Sequence, residues 1–366
     1  MKRIVFFINT LGSGGAEHQL VELSAGLIER GYDVTITTFG DIDDHYSINT
    51  KIKRHRIAPG KNKVFKMLAI WYYFLTIKAD WVVGFGQRES RYMLEVLQFR
   101  PQNNIHAIAG ERNTTISEPT IHELKLLNRL YKRADYIVPN SFSQRKHIIE
   151  TKPEYESKTV TITNYTDLLT YKPTPLPSGD CIRVCVFSRY DPQKNCLRFV
   201  EAVKQLKEKT KKQFVIEWYG NQLFKDREKN PYFVAMKDKI EESGIQDCLL
   251  LNDQIKNVAE TMTRFDAFCL PSLWEGFSNA ISEAICCGRP CLVSDVADNS
   301  VMVQDGVNGF LFDPVTIETI VDSFLKYFSL SQVERVAMGK ASRKRAEELF
   351  DRDRFIGAYI KLIEST

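Results

Sequence analysis

The sequence has few features of a secreted, membrane-spanning or nucleic-acid-binding chain. Its 366 residues include eight cysteines, all at or after Cys181, and no two of them form a C-x-x-C pair. Cys181 and Cys185 lie in an apolar run, and three more flank a glycine-proline turn. We therefore expect reduced, buried cysteines in the cytosol rather than disulfides or a metal cluster.

Long apolar runs and strong charge are also missing. No apolar stretch reaches the roughly 20 residues that a spanning helix needs. The net charge of +4 is too small for a dedicated nucleic-acid binder. The apolar run after Met1-Lys2-Arg3 stops at Asn9 without a small-residue cleavage site, so it is interpreted as a first strand, not a signal peptide. A cytoplasmic chain is expected.

Strand-like apolar runs alternate with helical periodicity along most of the chain, which is typical of parallel sheets covered by helices. The alternation is interrupted at residues 172–180, a segment with three prolines. A chain of this length also exceeds the size of a single core. The sequence therefore predicts an α/β fold of two doubly wound, Rossmann-like domains facing across a cleft, with boundaries at 1–170 and 181–349 and a linker at 171–180. Ligands of such sheets bind beyond the carboxyl ends of the strands.

The most informative segment follows one such strand, from Leu270 to Ala284. Two carboxylates, Glu275 and Glu283, have seven residues between them. Backbone N–H groups at a helix N-terminus favour an anion, so a diphosphate fits beside Gly276, Phe277, Ser278 and Asn279. Glu283 could accept both hydroxyls of a ribose, and Glu275 would face a sugar. Acids are also common in the first turn of ordinary helices, so the pair alone is a weak signal.

A second group of candidate residues follows the first strand of the second domain. Arg189 and Lys194 are separated by a tight turn before a helix. Both cations could converge on a diphosphate and neutralise it as it leaves, although a solvated basic loop is an equal alternative. Gly220, at the end of the next strand, is also assigned to the nucleotide-sugar site.

A glycine-rich turn between the first strand and the first helix holds Gly14, Gly15, Glu17 and His18. Glycines let a ligand approach the backbone closely. The turn suggests a dinucleotide site with Asp41 as the ribose acid, but Glu17 stands where G-x-G-x-x-G requires its last glycine. Gly14, Gly15 and Glu17 are therefore assigned to the sugar nucleotide, and His18 is a candidate contact for the sugar or acceptor.

A fourth group follows the strand 105–109. It contains Glu111, Arg112 and Asn113, which point toward the same predicted cleft; Glu111 and Asn113 are candidate contacts for the sugar or acceptor. His106 lies within the strand and is interpreted as a packed residue.

The run Pro271-Ser272-x-x-Glu275-Gly-Phe-Ser-Asn, followed by Glu283-Ala284 and Gly288-Arg289-Pro290, closely resembles the signature of retaining GT-B glycosyltransferases with a Glu-x7-Glu motif. Gly14-Gly15-Ala16-Glu17 matches the loop of that family that faces the sugar. There are two departures. Ser188 replaces a glycine before Arg189, and Glu111, Arg112 and Asn113 stand where relatives carry a histidine. In the family, the last helix, here about 350–366, crosses back onto the first domain.

The resemblance implies a GT-B fold and a retaining transfer of a hexose or N-acetylhexosamine from a nucleotide diphosphate sugar. By family frequency the donor is a UDP-sugar and the acceptor a glycan or lipid-linked sugar in surface polysaccharide synthesis. Neither a metal nor a cofactor is expected. The residues assigned to catalysis are Glu275, Arg189, Lys194 and Arg112.

Three alternatives stay open. A metal-dependent transferase could use Asp41-Ile42-Asp43 or Asp351-Arg352-Asp353, which match Asp-x-Asp. A nicotinamide-dependent oxidoreductase would use the glycine-rich turn. A binding protein could keep the fold and lack catalysis.

One last pattern points to an anionic membrane surface as a partner. Basic residues between Lys51 and Lys66, Lys61 and Lys63 among them, have no acid between them and lead into the apolar and aromatic run 64–75. Cations attract anionic head groups and apolar side chains enter the interface. A solvated loop before a core helix is the equal alternative.

Overall fold

The computed structural model describes residues 1–12, 14–40, 44–57, 62–100, 105–112, 121–220 and 227–365. The chain divides into two compact units, Met1–Tyr165 with Arg352–Thr366, and Thr166–Asp351. The boundaries expected from the sequence were 170 and 349. Residues 166–170 therefore lie with the second unit.

The first unit contains a six-stranded parallel sheet in the order β3-β2-β1-β4-β5-β6. Its strands are β1 (Arg3–Ile8), β2 (Asp33–Thr38), β3 (Lys53–Arg56), β4 (Trp81–Phe85), β5 (His106–Glu111) and β6 (Tyr136–Pro139). The five residues after Arg3 in β1 are all buried, as expected for a central strand covered on both faces. The strand order reverses at β1, which makes the edge beyond β1 and β4 a topological switch point.

Where the structure describes this unit, five α-helices precede the linker. They are α1 (Gly15–Glu29), α2 (Lys63–Thr76), α3 (Gln87–Leu97), α4 (Ile121–Asn128) and α5 (Phe142–Thr151). The core between them and the sheet is apolar and aromatic. Phe7, for example, stacks on Phe39 and meets Phe74 of α2 edge-on, both at 4.9 Å between ring centroids.

The second unit repeats the architecture, with strand order β12-β11-β10-β7-β8-β9 and every described strand pair parallel. Its strands are β7 (Ile182–Phe187), β8 (Phe214–Gly220), β9 (Leu249–Asp253), β10 (Ala267–Leu270), β11 (Cys291–Ser294) and β12 (Gly309–Phe312). The prediction of two parallel α/β units is confirmed. The order also makes β7 and β10 neighbours, although 79 residues (188–266) lie between the end of β7 and the start of β10.

Among the described residues, seven α-helices belong to the second unit and one more returns to the first. They are α6 (Cys196–Lys209), α7 (Pro231–Ser243), α8 (Val258–Met262), α9 (Asn279–Cys286), α10 (Asn299–Met302), α11 (Ile317–Ser329), α12 (Gln332–Leu349) and, in the first unit, α13 (Arg352–Glu364). A Cβ on Gly26 of α1 would lie 2.1 Å from Ile356 of α13, so only glycine lets these two helices approach so closely.

The cysteines fit a packing role. All eight are free thiols, and all are buried except the half-buried Cys181. Burial raises the pKa of Cys196 to about 12, which keeps it protonated and unreactive. In the part of the chain that the structure describes, no helix is long and apolar enough to cross a membrane.

Arg289 ties the proline-rich segment to the second unit. Its guanidinium is fully buried and donates to the carbonyl oxygens of Met262 and Thr174, both at 3.0 Å, and to the Thr174 hydroxyl. The Gly288-Arg289-Pro290 turn therefore has a structural purpose: its arginine satisfies backbone acceptors that would otherwise be buried without a donor.

We expect Arg289→Ala to lower the free energy of unfolding by roughly 3 kcal/mol, because it leaves a cavity and several buried acceptors without donors. The control is Arg264→Ala, which removes an exposed arginine with a hydrogen bond to the Tyr219 hydroxyl and should change stability by less than about 1 kcal/mol. Urea unfolding followed by circular dichroism measures both. Equal destabilisation by the two substitutions would contradict the anchoring role.

Candidate functional site

Two loops of the second unit meet at the carboxyl ends of neighbouring strands. One follows β7 and contains residues 188–195; the other follows β10 and contains residues 271–278. The N–H of Leu273 donates to the Gln193 carbonyl at 2.8 Å, and the Gln193 side chain donates to the Trp274 carbonyl at 2.8 Å. The sheet order thus brings together the two groups of candidate residues that the sequence analysis treated separately.

The centre of this contact is an ion pair. Lys194 Nζ lies 2.5 Å from Glu275 Oε1, and the two side chains are 13% and 9% exposed. Such burial is tolerable because each charge neutralises the other. Both residues had been assigned to catalysis from the sequence, one to the phosphates and one to the sugar. In the structure they contact each other directly.

The shape of the first loop follows from its sequence. Asp191 accepts a hydrogen bond from the Lys194 N–H at 3.2 Å and so closes a short turn that begins with Pro192. Asn195 then adopts a left-handed conformation, φ 59° and ψ 30°, which asparagine tolerates better than most residues. Its side chain donates to the Pro314 carbonyl at 2.8 Å. This turn fixes the direction of Lys194.

Arg189 lies on the same loop and is more exposed than Lys194. Its Nε is 3.1 Å from an oxygen of Asp191, and 45% of its side chain is accessible. Ser188, which replaces the glycine of relatives, has a buried hydroxyl that finds no hydrogen-bond partner among the described residues. A polar atom in that state is a candidate for contact with a bound ligand.

The second loop leads into α9. Ser278 caps this helix by accepting from the Ile281 N–H at 3.5 Å, while its carbonyl accepts from the Ser282 hydroxyl at 2.9 Å. The Phe277 side chain is buried and meets Phe350 edge-on at 6.3 Å. At Phe277, therefore, the side chain belongs to the core, and the backbone is what remains to contact a ligand. Gly276 and Asn279 are both half-buried.

Glu283, one turn further along α9, is held in a poorly solvated position. Burial raises its pKa to about 7, and a hydrogen bond with the Tyr171 side chain acts in the opposite direction. A carboxyl in such a setting gains from a hydroxyl that donates to it, because the donor stabilises the ionised form.

Gly220 has a packing explanation. A Cβ at this position would lie 2.1 Å from the ring of Tyr190, whose buried hydroxyl donates to the carbonyls of Trp218 and Asn252 at 3.1 and 2.9 Å. The absence of a side chain at residue 220 is therefore explained without a ligand.

The first unit has its own cavity at the carboxyl ends of β1, β4 and β5. Its volume is about 380 Å³. The lining is mixed, with both charges, amides and apolar groups: Ile8, Asn9, Ala16, Glu17, Phe85, Gly86, Gln87, Arg88, Glu89 and Arg112. The lining contains Glu17 and Arg112, which the sequence had selected.

Glu17 folds back over the start of α1. A Cβ on Gly14 would lie 2.2 Å from its carboxylate, so glycine at 14 makes room for Glu17. Burial raises the pKa of Glu17, opposed by a hydrogen bond from its own backbone N–H, and the nearby Glu89 raises it further. The helix start expected to attract a ligand anion is thus occupied by the chain's own carboxylate. Gly15 is the first residue of α1, and the ring of His18 packs on Tyr46 with centroids 5.4 Å apart.

Arg112 is held by three partners. Its guanidinium lies 4.1 Å from the centre of the Phe85 ring, donates to Asn164 at 3.2 Å and donates to the Tyr359 hydroxyl of α13. The C-terminal helix therefore helps to position a cation at the rim of this cavity. Asn113, the neighbouring candidate, lies outside the described residues.

Glu111 was expected to contact the sugar or acceptor, but its side chain is fully buried and is not part of the cavity lining. The Tyr131 hydroxyl donates to it, and it also shares a hydrogen bond with Gln87. Burial raises its pKa to about 8. Glu111 is linked to the cavity lining by its hydrogen bond with Gln87.

The sequence analysis missed Gln87, Arg88 and Glu89. The available signal was Gly86, which directly follows an apolar strand. Gly86 has φ 155°, and a Cβ there would lie 2.5 Å from the Glu89 carboxylate. A glycine that ends a strand and is followed by three polar residues is typical of a ligand-binding turn in such sheets.

The first Asp-x-Asp run, residues 41–43, lies outside the described residues. In the second, Asp353 forms an ion pair with Arg30. Where the structure describes side chains, no group of three or more histidines, cysteines or acids is arranged to hold a metal ion.

Comparison with known proteins finds a family match over the second unit and a shared fold over the whole chain. Residues 172–345 match the family described as Glycosyl transferases group 1. The chain is 33% identical over 138 residues to the Escherichia coli UDP-Gal:alpha-D-GlcNAc-diphosphoundecaprenol alpha-1,3-galactosyltransferase, a match that covers 37% of the chain and only 33% of that enzyme. It is 24% identical over 320 residues, 81% of each protein, to the Campylobacter jejuni N-acetylgalactosamine-N,N'-diacetylbacillosaminyl-diphospho-undecaprenol 4-alpha-N-acetylgalactosaminyltransferase.

Among solved structures, Anabaena HepE in complex with UDP and glucose superimposes over all of both chains with a TM-score of 0.81 at 17% identity. Similarity at this level of identity establishes the fold alone. The GT-B class expected from the sequence is confirmed.

The buried acid beneath the first cavity predicts a pH-dependent stability. Because the pKa of Glu111 is raised from 4.5 to about 8, the folded chain keeps this proton while the unfolded chain loses it. Stability contributed by the protonated acid is fully present below about pH 4.5 and is lost as the pH rises towards 8. Glu111→Gln does not titrate, so its melting temperature should rise relative to the wild type between about pH 5 and pH 8.

The control is Glu150→Gln. Glu150 is an exposed acid that forms a loose ion pair with Lys146 at 3.8 Å, so the melting temperature of this variant should differ from that of the wild type by a nearly constant amount at every pH. Scanning calorimetry at several pH values makes the comparison. If the melting temperature of Glu111→Gln changed with pH in the same way as that of the wild type, Glu111 would be ionised and solvated, which would contradict the account.

Proposed function

We propose that this chain, whose residues 172–345 match the family described as Glycosyl transferases group 1, transfers a sugar from a nucleotide diphosphate sugar with retention of anomeric configuration. The observation that carries the proposal is the ion pair of Lys194 with Glu275. It joins a diphosphate-binding cation to a sugar-facing carboxylate at the carboxyl ends of β7 and β10, where ligands of such sheets bind.

The donor in this proposal is a UDP-linked hexose or N-acetylhexosamine. Lys194 and Arg189 face the diphosphate from the loop after β7, and the start of α9 adds backbone N–H groups from Gly276 to Asn279. Glu283 accepts the ribose hydroxyls, which is consistent with a raised pKa that such donors would lower again. UDP occurs in the HepE complex, and UDP-Gal is named as the donor of the Escherichia coli relative.

The acceptor in this proposal is a glycan or lipid-linked sugar bound by the first unit. The cavity there combines two carboxylates, two amides and two guanidinium groups, a set that exchanges hydrogen bonds with sugar hydroxyls and balances its own charge. Both curated relatives named above act on diphosphoundecaprenol-linked sugars. Surface polysaccharide synthesis on the cytoplasmic side of a membrane is the setting that this acceptor class implies.

The reaction breaks the bond between the anomeric carbon and the diphosphate oxygen, and the electron pair stays on the diphosphate. Lys194, Arg189 and the α9 N-terminus stabilise that charge as it develops. The acceptor hydroxyl then attacks the same face of the oxocarbenium-like sugar, and its proton moves to a phosphate oxygen of the leaving group. Glu275 orients the sugar and holds Lys194 in place.

We expect Glu275→Gln and Lys194→Ala each to lower turnover by more than about tenfold while the chain stays folded, because each removes a contact that strengthens in the transition state. The measurement is release of the nucleoside diphosphate, UDP or GDP, across a panel of UDP- and GDP-sugars, with melting temperatures as the test of folding. Lys207→Ala is the matched control, because it breaks an exposed ion pair of similar length, 2.7 Å to Asp247, far along the sequence from both loops.

If either Glu275→Gln or Lys194→Ala turned over the true donor at the normal rate, the assignment of this site would be wrong. A wild-type chain that binds UDP tightly but turns over no donor would instead favour the alternative of a binding protein without catalysis.

A second prediction separates this proposal from the metal-dependent alternative. Because lysine, arginine and a helix N-terminus provide the positive charge, turnover should persist in excess EDTA. The assay is donor turnover before and after chelation, with magnesium or manganese added back. If EDTA abolished turnover and either metal restored it, the metal-dependent alternative would be supported, with the Asp-x-Asp run at residues 41–43 as the first candidate for the metal site.

A further inference from the structure

Helix α2 of the first unit exposes an apolar face. Its outward side carries five large apolar or aromatic residues at helical spacing: Val64, Phe65, Leu68, Tyr72 and Leu75. With 3.6 residues per turn they fall within an arc of about 100°. Phe65 is 69% and Tyr72 71% exposed, values more typical of lysine than of aromatic residues.

The opposite side of the same helix fixes it to the unit. Ile70 and Phe74 are buried in the core, and the Tyr73 hydroxyl bonds to Thr37 at 2.6 Å. Asn62 caps the helix by accepting from the N–H groups of Val64 and Phe65. The exposed face is therefore a rigid surface of a packed helix.

The surface extends beyond α2. The Trp71 ring meets Phe99, just after α3, with centroids 5.5 Å apart, and Phe99 is itself exposed. Both residues line a cavity of about 360 Å³ that also contains Lys125 and Arg129. Exposed apolar residues that are contiguous across two elements mark an interaction surface rather than isolated exposure.

The cations around this surface are of two kinds. Lys53 pairs with Asp33 at 2.6 Å, and Arg54 pairs with Asp44 at 2.8 Å, so part of the basic cluster of the sequence is neutralised on the protein. Lys63 is exposed at the start of α2, and Lys66 is half-buried one turn later. Helix α2 contains no acid. The apolar face thus has positive charge at the N-terminal end of its helix, and no negative charge along it.

We propose that this face, defined by Val64, Phe65, Leu68, Tyr72, Leu75 and Phe99, docks on the surface of an anionic lipid bilayer. The apolar side chains enter the interfacial region, Tyr72 lies at the level of the head groups, and Lys63 and Lys66 meet anionic lipid phosphates. The proposal deepens the proposed function, on which it rests for a lipid-linked acceptor.

A second copy of the chain is a poorer occupant. An interface between two copies centred on α2 would bury the apolar face, but it would offer no acid to pair with the lysines at the start of the helix, since α2 contains none. A bilayer instead supplies apolar depth and negative charge together.

The test is co-sedimentation of the full chain with vesicles of phosphatidylcholine alone or mixed with phosphatidylglycerol. The wild type should bind the anionic vesicles at low salt and bind less at high salt, since salt screens the lysines. Phe65→Ser with Leu68→Ser should weaken binding about tenfold at every salt concentration, because the apolar contribution is lost. Lys63→Gln with Lys66→Gln should remove mainly the salt-dependent part.

Two matched controls accompany these variants. Phe142→Ser with Leu169→Ser removes another exposed phenylalanine and leucine elsewhere, and Lys340→Gln with Lys344→Gln removes two exposed lysines of α12. Both should bind like the wild type. Melting temperatures verify that every variant is folded, which is expected for substitutions at exposed side chains.

Absence of wild-type binding to anionic vesicles at low salt would overturn the proposal, as would equal losses in the α2 variants and their controls. Sedimentation velocity adds a third contradicting outcome, a dimer that the Phe65 and Leu68 substitutions dissociate.

Vesicle binding needs neither donor nor acceptor. A chain that binds vesicles but turns over no sugar nucleotide therefore refutes the proposed function and leaves this surface, whereas the opposite result refutes the surface alone.

Discussion

The contact of Lys194 with Glu275 is the interaction on which the account of the second unit depends. It exists because β7 and β10 are neighbours in the sheet, so that two loops distant in sequence leave the same edge. Each charge makes the burial of the other tolerable. A diphosphate that engages Lys194 would draw it away from Glu275. In the proposed function, nucleotide binding and the position of the carboxylate assigned to the sugar are therefore coupled through this ion pair.

The first unit is organised by a different constraint, the burial of acids around its cavity. Glu17 and Glu89 line it, each beside a glycine whose missing side chain makes room for the carboxylate. Glu111 lies below them and reaches the lining only through Gln87. Burial raises the pKa of Glu17 and of Glu111, and acids in such positions favour neutral hydroxyl ligands over anions. This chemistry differs from that of the cation-rich loop after β7, which suits a diphosphate.

Much of this was predictable from the sequence, because it follows from local rules. The alternation of apolar runs gave the α/β units, and the motifs gave Arg189, Lys194 and Glu275. The rest depends on tertiary packing. Gly220 is explained by the ring of Tyr190, and Arg289 by the backbone acceptors of Met262 and Thr174, neither of which spacing can reveal. Likewise, only the packed helix distinguishes the buried Phe74 from the exposed Phe65.

The most direct test of the central claim is a crystal structure of the chain with UDP. The account predicts density for the nucleotide in the second unit, with the diphosphate within hydrogen-bond distance of Lys194 Nζ and the start of α9, and the ribose hydroxyls on Glu283. Density for UDP at any other place, or a diphosphate remote from Lys194, would contradict the assignment of this site and with it the mechanism proposed for the transfer.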